Sequence, residues 1–428
     1  MVRHLNKTLI MITPLLFLLA QAGCGRGQEQ KVVFAVGGAP TELAFWEEIV
    51  RDFATDTGAR VELLRRPADT EQQRQGLIIA LKAGMTDPDV FLMDVAWLGL
   101  FAASNWLAPL EQVDRSAFFA QVLNLVDIHD GQLLALPVYL DAGLLYYRKD
   151  LLERFAIAQP PETWQELIEQ ATSVQEEMRK NAADFYGFVW QGRQYEGLIP
   201  NFQEFAGAQG GFIVNHENNT RIILDQPQNR AALRLMHDLI WKYKISPPFT
   251  YTEMQEEETR LLFQTGGALF ARNWPYAWAL HQSQESPVRG KIGVTLPPAP
   301  SGGERTSSLG GWHIGVSAFS DAKPLAMAFV QYVCSYSVQK RMVLRLGWNP
   351  GRRDLYTDPE ILQQAPHLPV LQQALRIATP RPLLPYYPQL SVIAQRRING
   401  VLARRIDAAS ALHEAEREIA ALLARYGW

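Results

Sequence analysis

An aromatic segment near the middle of the chain is the first candidate for binding chemistry. Asn273-Trp274-Pro275-Tyr276-Ala277-Trp278 follows Gly266-Gly267-Ala268-Leu269-Phe270, which is predicted to be a turn and a strand, and Pro275 can open a helix. Flat aromatic faces at the end of a strand suit a flat, partly apolar ligand such as a sugar ring. Burial in a core is the alternative for each of these side chains, because large aromatic residues are buried on average.

Three acidic residues stand where they could accept hydrogen bonds from a ligand. Glu42 lies in the first turn of a predicted helix beside Gly37-Gly38, Asp94 ends an apolar strand, and Asp141 follows Tyr139 by two positions. An ionised carboxylate only accepts hydrogen bonds, so it suits ligand O–H groups. The alternative for Glu42 is a surface carboxylate that interacts with the helix dipole. The alternative for Asp141 is a hydrogen-bonding role in a hinge, whereas an acid such as Asp94 at a strand end rarely serves packing.

Arg381 is a candidate donor of hydrogen bonds. It lies between Pro380 and Pro382, which fix the local backbone. A guanidinium only donates, so a rigidly held arginine suits the lone pairs of ligand hydroxyls. The alternative is a salt bridge between surface segments. Asp69 and Arg74 are weaker candidates, as an acceptor and a donor respectively.

Alternating strands and helices must position these side chains. Strand, helix, strand, helix and strand in succession predict right-handed crossovers and a parallel sheet with helices on both faces. Ligands bind at the carboxyl ends of the strands in such sheets, and Asp94 and the turn before Glu42 lie at that edge. The predicted elements are strands 31–36, 60–64 and 89–93, with helices 43–53, for which Thr41 is the candidate cap, and 70–83.

A second α/β set is predicted from about residue 141 to residue 305. A polar loop, a strand, a helix and a helical C-terminus follow it. The clearest predicted elements are helix Trp164–Met178, strand Phe185–Trp190, helix Arg230–Tyr243, loop Ser301–Arg305, strand His313–Val316, helix Pro324–Tyr336 and helix Ala408–Tyr426.

The composition describes an ordinary globular protein. Among 428 residues, 47% are hydrophobic and 20% are charged, and the net charge of −3 comes from 41 basic and 44 acidic residues, so no basic excess indicates nucleic acid. Only Cys24 and Cys334 occur, so the fold does not rely on disulfides. No metal-ligand spacing, phosphate loop or nucleophile motif appears, and we predict no cofactor, no metal and no catalytic residues.

The N-terminus predicts export. A basic stretch at residues 3–7 precedes an apolar stretch at residues 9–20, which is the pattern of a secretory signal. After it, no apolar run is long enough to span a membrane. We therefore expect residues 1–23 to be a signal peptide.

The segment Gln21-Ala22-Gly23-Cys24 resembles a bacterial lipobox, in which the cysteine becomes the lipidated first residue. Gln21 stands where a lipobox usually has leucine, so simple cleavage is the alternative. We predict that Cys24 carries the lipid and that residues 24–30 form a flexible tether. The protein is then exported and anchored by lipid alone to the bacterial cell membrane, facing the periplasm or the cell exterior.

Several segments together resemble the extracellular solute-binding proteins of sugar ABC importers, and most closely the trehalose/maltose-binding branch. The resemblance covers the chain from about Lys31 onward. It is carried by segments Phe34–Pro40, Asp87–Leu98, Leu136–Leu151, Pro161–Trp164, Asn273–Trp278, Leu309–Gly315, Leu346–Arg352, Pro380–Pro382 and Pro385–Gln389.

The resemblance implies a fold and its boundaries. The α/β fold would be that of the periplasmic binding proteins, with two α/β lobes joined by three crossing segments and a ligand cleft between them. The crossings are expected near 139–141, 302–306 and 348–350. We therefore predict an N-lobe from 31–140 and 306–348, and a C-lobe from 141–305 and 349–428.

The resemblance also implies the ligand-binding residues. Gly310 and Gly311 would allow backbone N–H groups close to the ligand. Gln73 stands where relatives carry a second basic residue, and Trp97, Trp106 and Trp241 are predicted to be structural. The expected ligand-binding residues are Glu42, Asp94, Tyr139, Asp141, Trp274, Tyr276, Gly311, Trp312 and Arg381, with Asp69, Arg74, Trp190 and Tyr195 as secondary candidates.

The predicted function is a monomeric receptor that captures a disaccharide, such as trehalose, maltose or a related α-glucoside, by hinge closure. It would deliver the sugar to ABC permease subunits and would not be an enzyme. One alternative is a secreted glycoside hydrolase, which needs two acids about 5–9.5 Å apart. The other is a binding protein for a non-sugar solute such as a polyamine or a peptide, and a cationic ligand would favour excess acids without Arg381.

Overall fold

A computed structural model describes residues 31–211, 213–214 and 222–426. The predicted signal peptide, the tether and Cys24 lie outside the described residues. In the described part of the chain the strands are β1 (Lys31–Val36), β2 (Arg60–Arg65), β3 (Val90–Asp94), β4 (Ile128–His129), β5 (Gln132–Leu133), β6 (Leu136–Ala142), β7 (Leu144–Arg148), β8 (Tyr186–Val189), β9 (Ala268–Asn273), β10 (Ile292–Thr295), β11 (Ser307–Val316) and β12 (Ala378–Thr379).

The helices account for most of the remaining described residues. No helix among them combines the length and the apolar character needed to cross a bilayer. They are α1 (Pro40–Thr57), α2 (Thr70–Lys82), α3 (Leu98–Ala103), α4 (Ala120–Val122), α5 (Lys149–Arg154), α6 (Trp164–Met178), α7 (Leu198–Gly207), α8 (Pro227–Trp241), α9 (Glu256–Gln264), α10 (Ala277–His281), α11 (Lys323–Val333), α12 (Tyr336–Leu346), α13 (Pro359–Gln364), α14 (Leu368–Arg376), α15 (Tyr387–Leu402) and α16 (Ala408–Tyr426).

The first sheet has the order β12-β11-β3-β1-β2, and β6 pairs with β11. β1 is parallel to β2 and to β3, as the strand and helix alternation predicts. β11 joins antiparallel to β3 and places Trp312 opposite Asp94. α1 and α2 form the crossovers, and α1 buries Phe45, Trp46 and Ile49. The carboxyl end of β3 is thereby placed beside the crossing strand β11.

The start of α1 differs from the sequence prediction. The helix begins at Pro40, so Thr41 lies inside the first turn and the prediction of Thr41 as cap was wrong. Proline suits the first helical position because its missing N–H would have no partner there. The Glu42 carboxylate instead accepts a hydrogen bond from the backbone N–H of Ala39 at 2.7 Å.

The second sheet has the order β10-β7-β9-β8. β7 is antiparallel to β9 and to β10, and β8 runs parallel to β9. Strong helical periodicity gave the bounds of α6 and α16 as predicted, while predicted strand 185–190 and helices 230–243 and 324–336 differ at their ends from β8, α8 and α11. Cys334, just after α11, is a buried free thiol, and burial raises its pKa.

Three segments connect the two α/β lobes. β6 leads through Gly143 directly into β7, and β11 pairs with β6 as far as Leu309 and Ala142. The third segment passes Asn349, whose carbonyl accepts from the Leu140 N–H at 3.0 Å. We keep the lobe boundaries predicted above as a proposal.

Candidate functional site

A cavity of about 790 Å³ opens between the two sheets. The carboxyl end of β3, the crossing strands β6 and β11, the start of α2 and the end of β9 all contribute to it. Its polar and aromatic lining includes the predicted Glu42, Asp69, Arg74, Asp94, Tyr139, Asp141, Tyr195, Trp274, Tyr276, Gly311, Trp312 and Arg381, together with Glu71, Trp97, Glu196, Gln255, Glu256, Trp348, Tyr387 and Gln395.

Trp190 does not line the cavity, and its prediction as a cleft contact is corrected. Its side chain is fully buried, and its Nε1–H donates to Ser246 Oγ at 3.0 Å. The indole packs near Phe205, with ring centroids 5.9 Å apart. Trp190 is therefore a core residue because β8 directs it into the lobe interior.

Asp94 and Arg381 meet across the cavity. Arg381 Nη2 donates to Asp94 Oδ1 at 2.7 Å, and Arg381 Nη1 donates to Glu196 Oε1 at 3.0 Å. Arg381 is buried, which lowers its pKa, but the two carboxylates outweigh burial and raise the pKa overall. Asp94 ends a first-sheet strand, and Glu196 follows a second-sheet strand. The arginine thus forms an ion-pair bridge between the lobes and is not a salt bridge on the surface.

Sequence reasoning missed Glu196, although three polar side chains of α15 hold it. Tyr387 and Ser391 donate hydroxyl hydrogen bonds to its carboxylate, and Gln395 Nε2 donates to Oε2 at 3.3 Å. Glu196 lies in a loop with no periodic pattern. Only the segment Pro385–Gln389, which carries part of the resemblance, gave any signal for this part of the site.

The crossing segments supply Asp141 and an aromatic pair. Asp141 accepts a hydrogen bond from Asn349 Nδ2 at 3.1 Å and is 8% exposed. Burial raises the pKa of Asp141 to about 7, and the repulsion of Asp94 adds to this rise, against the lowering effects of Asn349 and Arg272. The ring of Tyr139 packs on Trp348 with centroids 4.5 Å apart, so Trp348 is a further aromatic face that sequence reasoning did not assign.

Trp274 presents one half-buried aromatic face to the cavity. The guanidinium of Arg272 lies 4.1 Å from the centre of its ring, and Arg272 Nε donates to the buried Glu204 at 2.9 Å. A side chain at Gly310 would come within 2.9 Å of the indole. Tyr276 lies beside it and donates its hydroxyl hydrogen bond to Glu257 at 2.7 Å. The Trp274 ring is therefore held rigidly from behind.

Trp312 and Gly311 form the wall contributed by β11. Gly311 has φ +119°, and a Cβ there would lie 2.4 Å from the carbonyl oxygen of Tyr139, so only glycine fits. Trp312 packs edge-on against Trp97 at 5.3 Å between centroids. Trp97 is buried, as a structural residue should be, yet it also lines the cavity.

The secondary candidates at the start of α2 border the cavity. Asp69 caps α2 by accepting from the Gln72 N–H at 2.8 Å, and Arg74 forms an ion pair with Glu71. Gln73 is buried beneath Gly37 and does not take the place of a second basic group in the cavity. Arg74 is thus already paired before any ligand enters.

Acceptors outnumber free donors in the cavity. Both lining arginines are paired with carboxylates, and burial raises the pKa of Glu42 and of Glu256, although hydrogen bonds to these carboxylates oppose the rise. Among the described residues, no group of three His, Cys, Asp or Glu side chains could hold a metal ion. The arrangement is suited to a ligand with many hydroxyl donors and apolar faces that pack on Trp274 and Trp312.

Comparison with known proteins identifies the family of this chain. The model of the bacterial extracellular solute-binding proteins matches residues 37–340, which include both crossing strands and most of the cavity lining. The chain belongs to this family. Its members bind solutes for transport and are not enzymes, so the glycoside hydrolase alternative is not supported.

Individual relatives span nearly the whole chain. A probable ABC transporter-binding protein of Deinococcus radiodurans is 32% identical over 381 residues, covering 88% of this chain and 89% of that protein. The maltotriose-binding protein of Pyrococcus abyssi is 26% identical over 80% of this chain and 70% of its own length. The maltose-bound structure of T. maritima MalE3 superposes with a TM-score of 0.83 at 35% identity, over 92% of this chain and all of its own (100%).

Proposed function

We propose that this solute-binding protein captures a neutral disaccharide, such as maltose, trehalose or a related α-glucoside, and delivers it to ABC permease subunits in the membrane. The observation that carries the proposal is a cleft with acceptor carboxylates and a rigid aromatic face, Trp274, in one cavity. The maltose in MalE3 supports the same class of ligand for this chain. A cationic solute is the alternative tested below with spermidine, because the lining carboxylates outnumber the lining arginines, Arg74 and Arg381.

Binding is coupled to lobe closure in this proposal. Glu42 and Asp94 accept ligand hydroxyl hydrogen bonds from one lobe, while Asp141 and Trp274 act from the crossing and the other lobe. Arg381 bridges Asp94 and Glu196, so the closed cleft carries contacts that the open cleft lacks. A ligand that touches both lobes shifts the population toward the closed form, which docks on the permease.

We also propose export as a monomeric lipoprotein anchored through Cys24. The support is the N-terminal sequence pattern, with a basic stretch, an apolar stretch and small residues before the cysteine. Mass spectrometry of the N-terminal peptide from a bacterial membrane fraction tests it. A diacylglyceryl group on Cys24 is expected, and an unmodified cysteine in the mature protein would contradict the anchor.

The ligand class is tested by calorimetry with matched sugars. Maltose and trehalose are expected to bind with micromolar or better affinity, because four or five hydrogen bonds to charged groups contribute about 1.5–3 kcal/mol each before the cost of association. Maltobionate, which adds a carboxylate to a maltose-like skeleton, should bind at least about tenfold more weakly because it meets the unpaired acceptors of the cleft. Tighter binding of maltobionate or of spermidine than of every neutral sugar would contradict the proposal.

Sugar affinity is expected to fall as the pH drops below about 7. Asp141 accepts ligand hydrogen bonds as a carboxylate, and its pKa in the ligand-free protein is about 7, so binding must release a proton at lower pH. The affinity is then constant above the pKa and decreases by up to about tenfold per pH unit below it. Calorimetry from pH 5.5 to 8.5 measures this dependence of affinity on pH. The variant Asp141→Asn should bind the sugar more weakly at every pH, and its affinity should change less with pH because the Asp141 carboxylate is absent.

A further inference from the structure

His367 lies behind the cleft at the end of a hydrogen-bonded chain. Its imidazole Nε2 is 2.7 Å from Asn349 Oδ1, and Asn349 Nδ2 is 3.1 Å from Asp141 Oδ1. His367 and Asn349 are 3% and 2% exposed, so the chain is shielded from water. Only Asp141, at its far end, lines the cavity.

The chemistry of the three groups fixes the direction of every hydrogen bond. An amide oxygen only accepts, so His367 must carry its proton on Nε2 and donate to Asn349. The amide nitrogen only donates, so Asn349 must donate to Asp141. Burial lowers the pKa of His367 to about 3, which keeps the imidazole neutral with a single N–H to place.

We propose that His367 is a positioning residue for the sugar site, because its Nε2–H sets the orientation of the Asn349 amide and thereby holds Asp141 as a hydrogen-bond acceptor toward the cleft. The inference rests on the proposed function of the cavity. Without the imidazole donor, the Asn349 amide can turn and present its oxygen to the carboxylate of Asp141, which is repulsive while Asp141 is ionised.

Trp278 and the backbone hold the imidazole in place. The indole of Trp278 stacks on the imidazole of His367, with ring centroids 5.1 Å apart and an angle of 28° between the planes. The carbonyl of His367 accepts the N–H groups of Val370 and Leu371 in the first turn of α14. Trp278, at the end of the aromatic segment in the sequence, thus contributes to the site by packing behind it.

Five ionisable groups besides His367 influence or face Asp141. Arg272 lowers the pKa of Asp141, and Asp94 raises it. The other three groups are tyrosines whose pKa values burial raises well above 10, so they stay neutral near pH 7. A pH profile between 5.5 and 8.5 therefore reports mainly on Asp141, with the partly buried Glu42 and Glu256, whose pKa values are also raised, as a background shared by all variants. The five groups are Asp94, Arg272, Tyr139, Tyr146 and Tyr356.

Two variants of equal side-chain length separate positioning from packing. His367→Gln keeps an N–H donor near the place of Nε2, whereas His367→Met keeps the length and removes the donor. We expect His367→Met to weaken maltose binding by about tenfold and to move the pH midpoint of binding upward by about one unit, because Asp141 loses a fixed donor. His367→Gln should restore both values most of the way to those of the unaltered protein.

His281→Met is the matched control. His281 is also fully buried, but neither ring nitrogen has a hydrogen-bond partner among the described residues. Its replacement should alter the free energy of unfolding without shifting the pH midpoint of binding. Equal losses in His367→Met and His367→Gln with an unmoved midpoint, or no change in either, would overturn the proposal.

The tautomer of His367 tests the proposal in the unaltered protein, even if His367→Met does not fold. Nitrogen NMR of histidine-labelled protein should show the Nε2–H tautomer for His367 throughout pH 5.5–8.5. An Nδ1–H tautomer or a charged ring would overturn the positioning role. Failure of maltose and trehalose to bind the unaltered protein would instead count against the proposed function, which the tautomer does not address.

Discussion

Replacing Asp94 with alanine is expected to weaken maltose or trehalose binding by roughly 100-fold, about 3 kcal/mol. Asp94 Oδ1 already accepts from the Ala96 N–H at 2.8 Å and from Arg381 at 2.7 Å. No described residue donates to Oδ2, which leaves that oxygen for a ligand hydroxyl. The substitution removes this acceptor and also frees Arg381 to turn toward Glu196, so two ligand contacts are disturbed at once.

Asp114→Ala is the control for Asp94→Ala. Asp114 caps the short 3-10 helix Arg115–Ala117 by accepting a hydrogen bond from the Ser116 N–H at 3.0 Å, and Asp94 caps the 3-10 helix Val95–Trp97 in the same way. Unlike Asp94, Asp114 does not line the cavity. Isothermal titration calorimetry should show an unchanged affinity for Asp114→Ala, which loses only a cap. Asp94→Ala loses the same kind of cap and also the ion pair with the buried Arg381, so its free energy of unfolding should fall further. Unchanged affinity in Asp94→Ala would remove Asp94 from the site.

Replacing Trp274 with alanine is expected to weaken sugar binding by about 2–4 kcal/mol. The indole packs on the guanidinium of Arg272, which is held by an ion pair with the buried Glu204. The Trp274 side chain is thus already fixed, and it loses little conformational entropy when a sugar ring packs on its free face. Removal of the indole exposes this buried ion pair to the cleft. The apolar face of the sugar then has no partner on this wall. Trp274→Phe should retain part of the affinity because a smaller aromatic face remains.

Two further variants locate the effect of Trp274 in the cleft. Gly310→Ala should also weaken binding, since the added methyl comes within 2.9 Å of the indole and must displace it. Trp190→Phe should leave the affinity unchanged while lowering the free energy of unfolding by about 1–3 kcal/mol, because a buried hydrogen bond and packing are lost. Equal affinity of Trp274→Ala and the unaltered protein would rule out this aromatic face.

Local patterns explain which parts of the site could be predicted. Asp94 ends a strand whose other residues are buried, and a strand end in a parallel sheet points to the edge where ligands bind. Trp274 follows β9 in the same way. The resemblance to a family added Tyr139 and gave Asp141 and Arg381, which were candidates by residue type, a place in the cleft. The surroundings of these three residues carry no periodic signal. Trp190 also follows a strand, but its side chain is buried, so the position along a strand does not decide the direction of a side chain.

The amino-acid sequence by itself determined the alternation of strands and helices and the bounds of the strongest helices. α6 begins after Thr163, whose hydroxyl accepts from the Glu166 N–H at 3.2 Å while Glu166 Oε2 accepts from the Thr163 N–H at 3.0 Å. Such caps and the helical period act between residues three or four positions apart. They are therefore visible in the sequence before any tertiary contact is known.

Only the tertiary structure decided which polar groups meet. Arg381 pairs with residues 185 and 287 positions away, and Asn349 joins Asp141 across 208 positions. These contacts form because the crossing strands bring the two sheets together around one cavity. The energy of a buried charge depends on its partner, so the roles of Glu196, Asn349 and His367 arise from packing between lobes and leave no local pattern in the sequence.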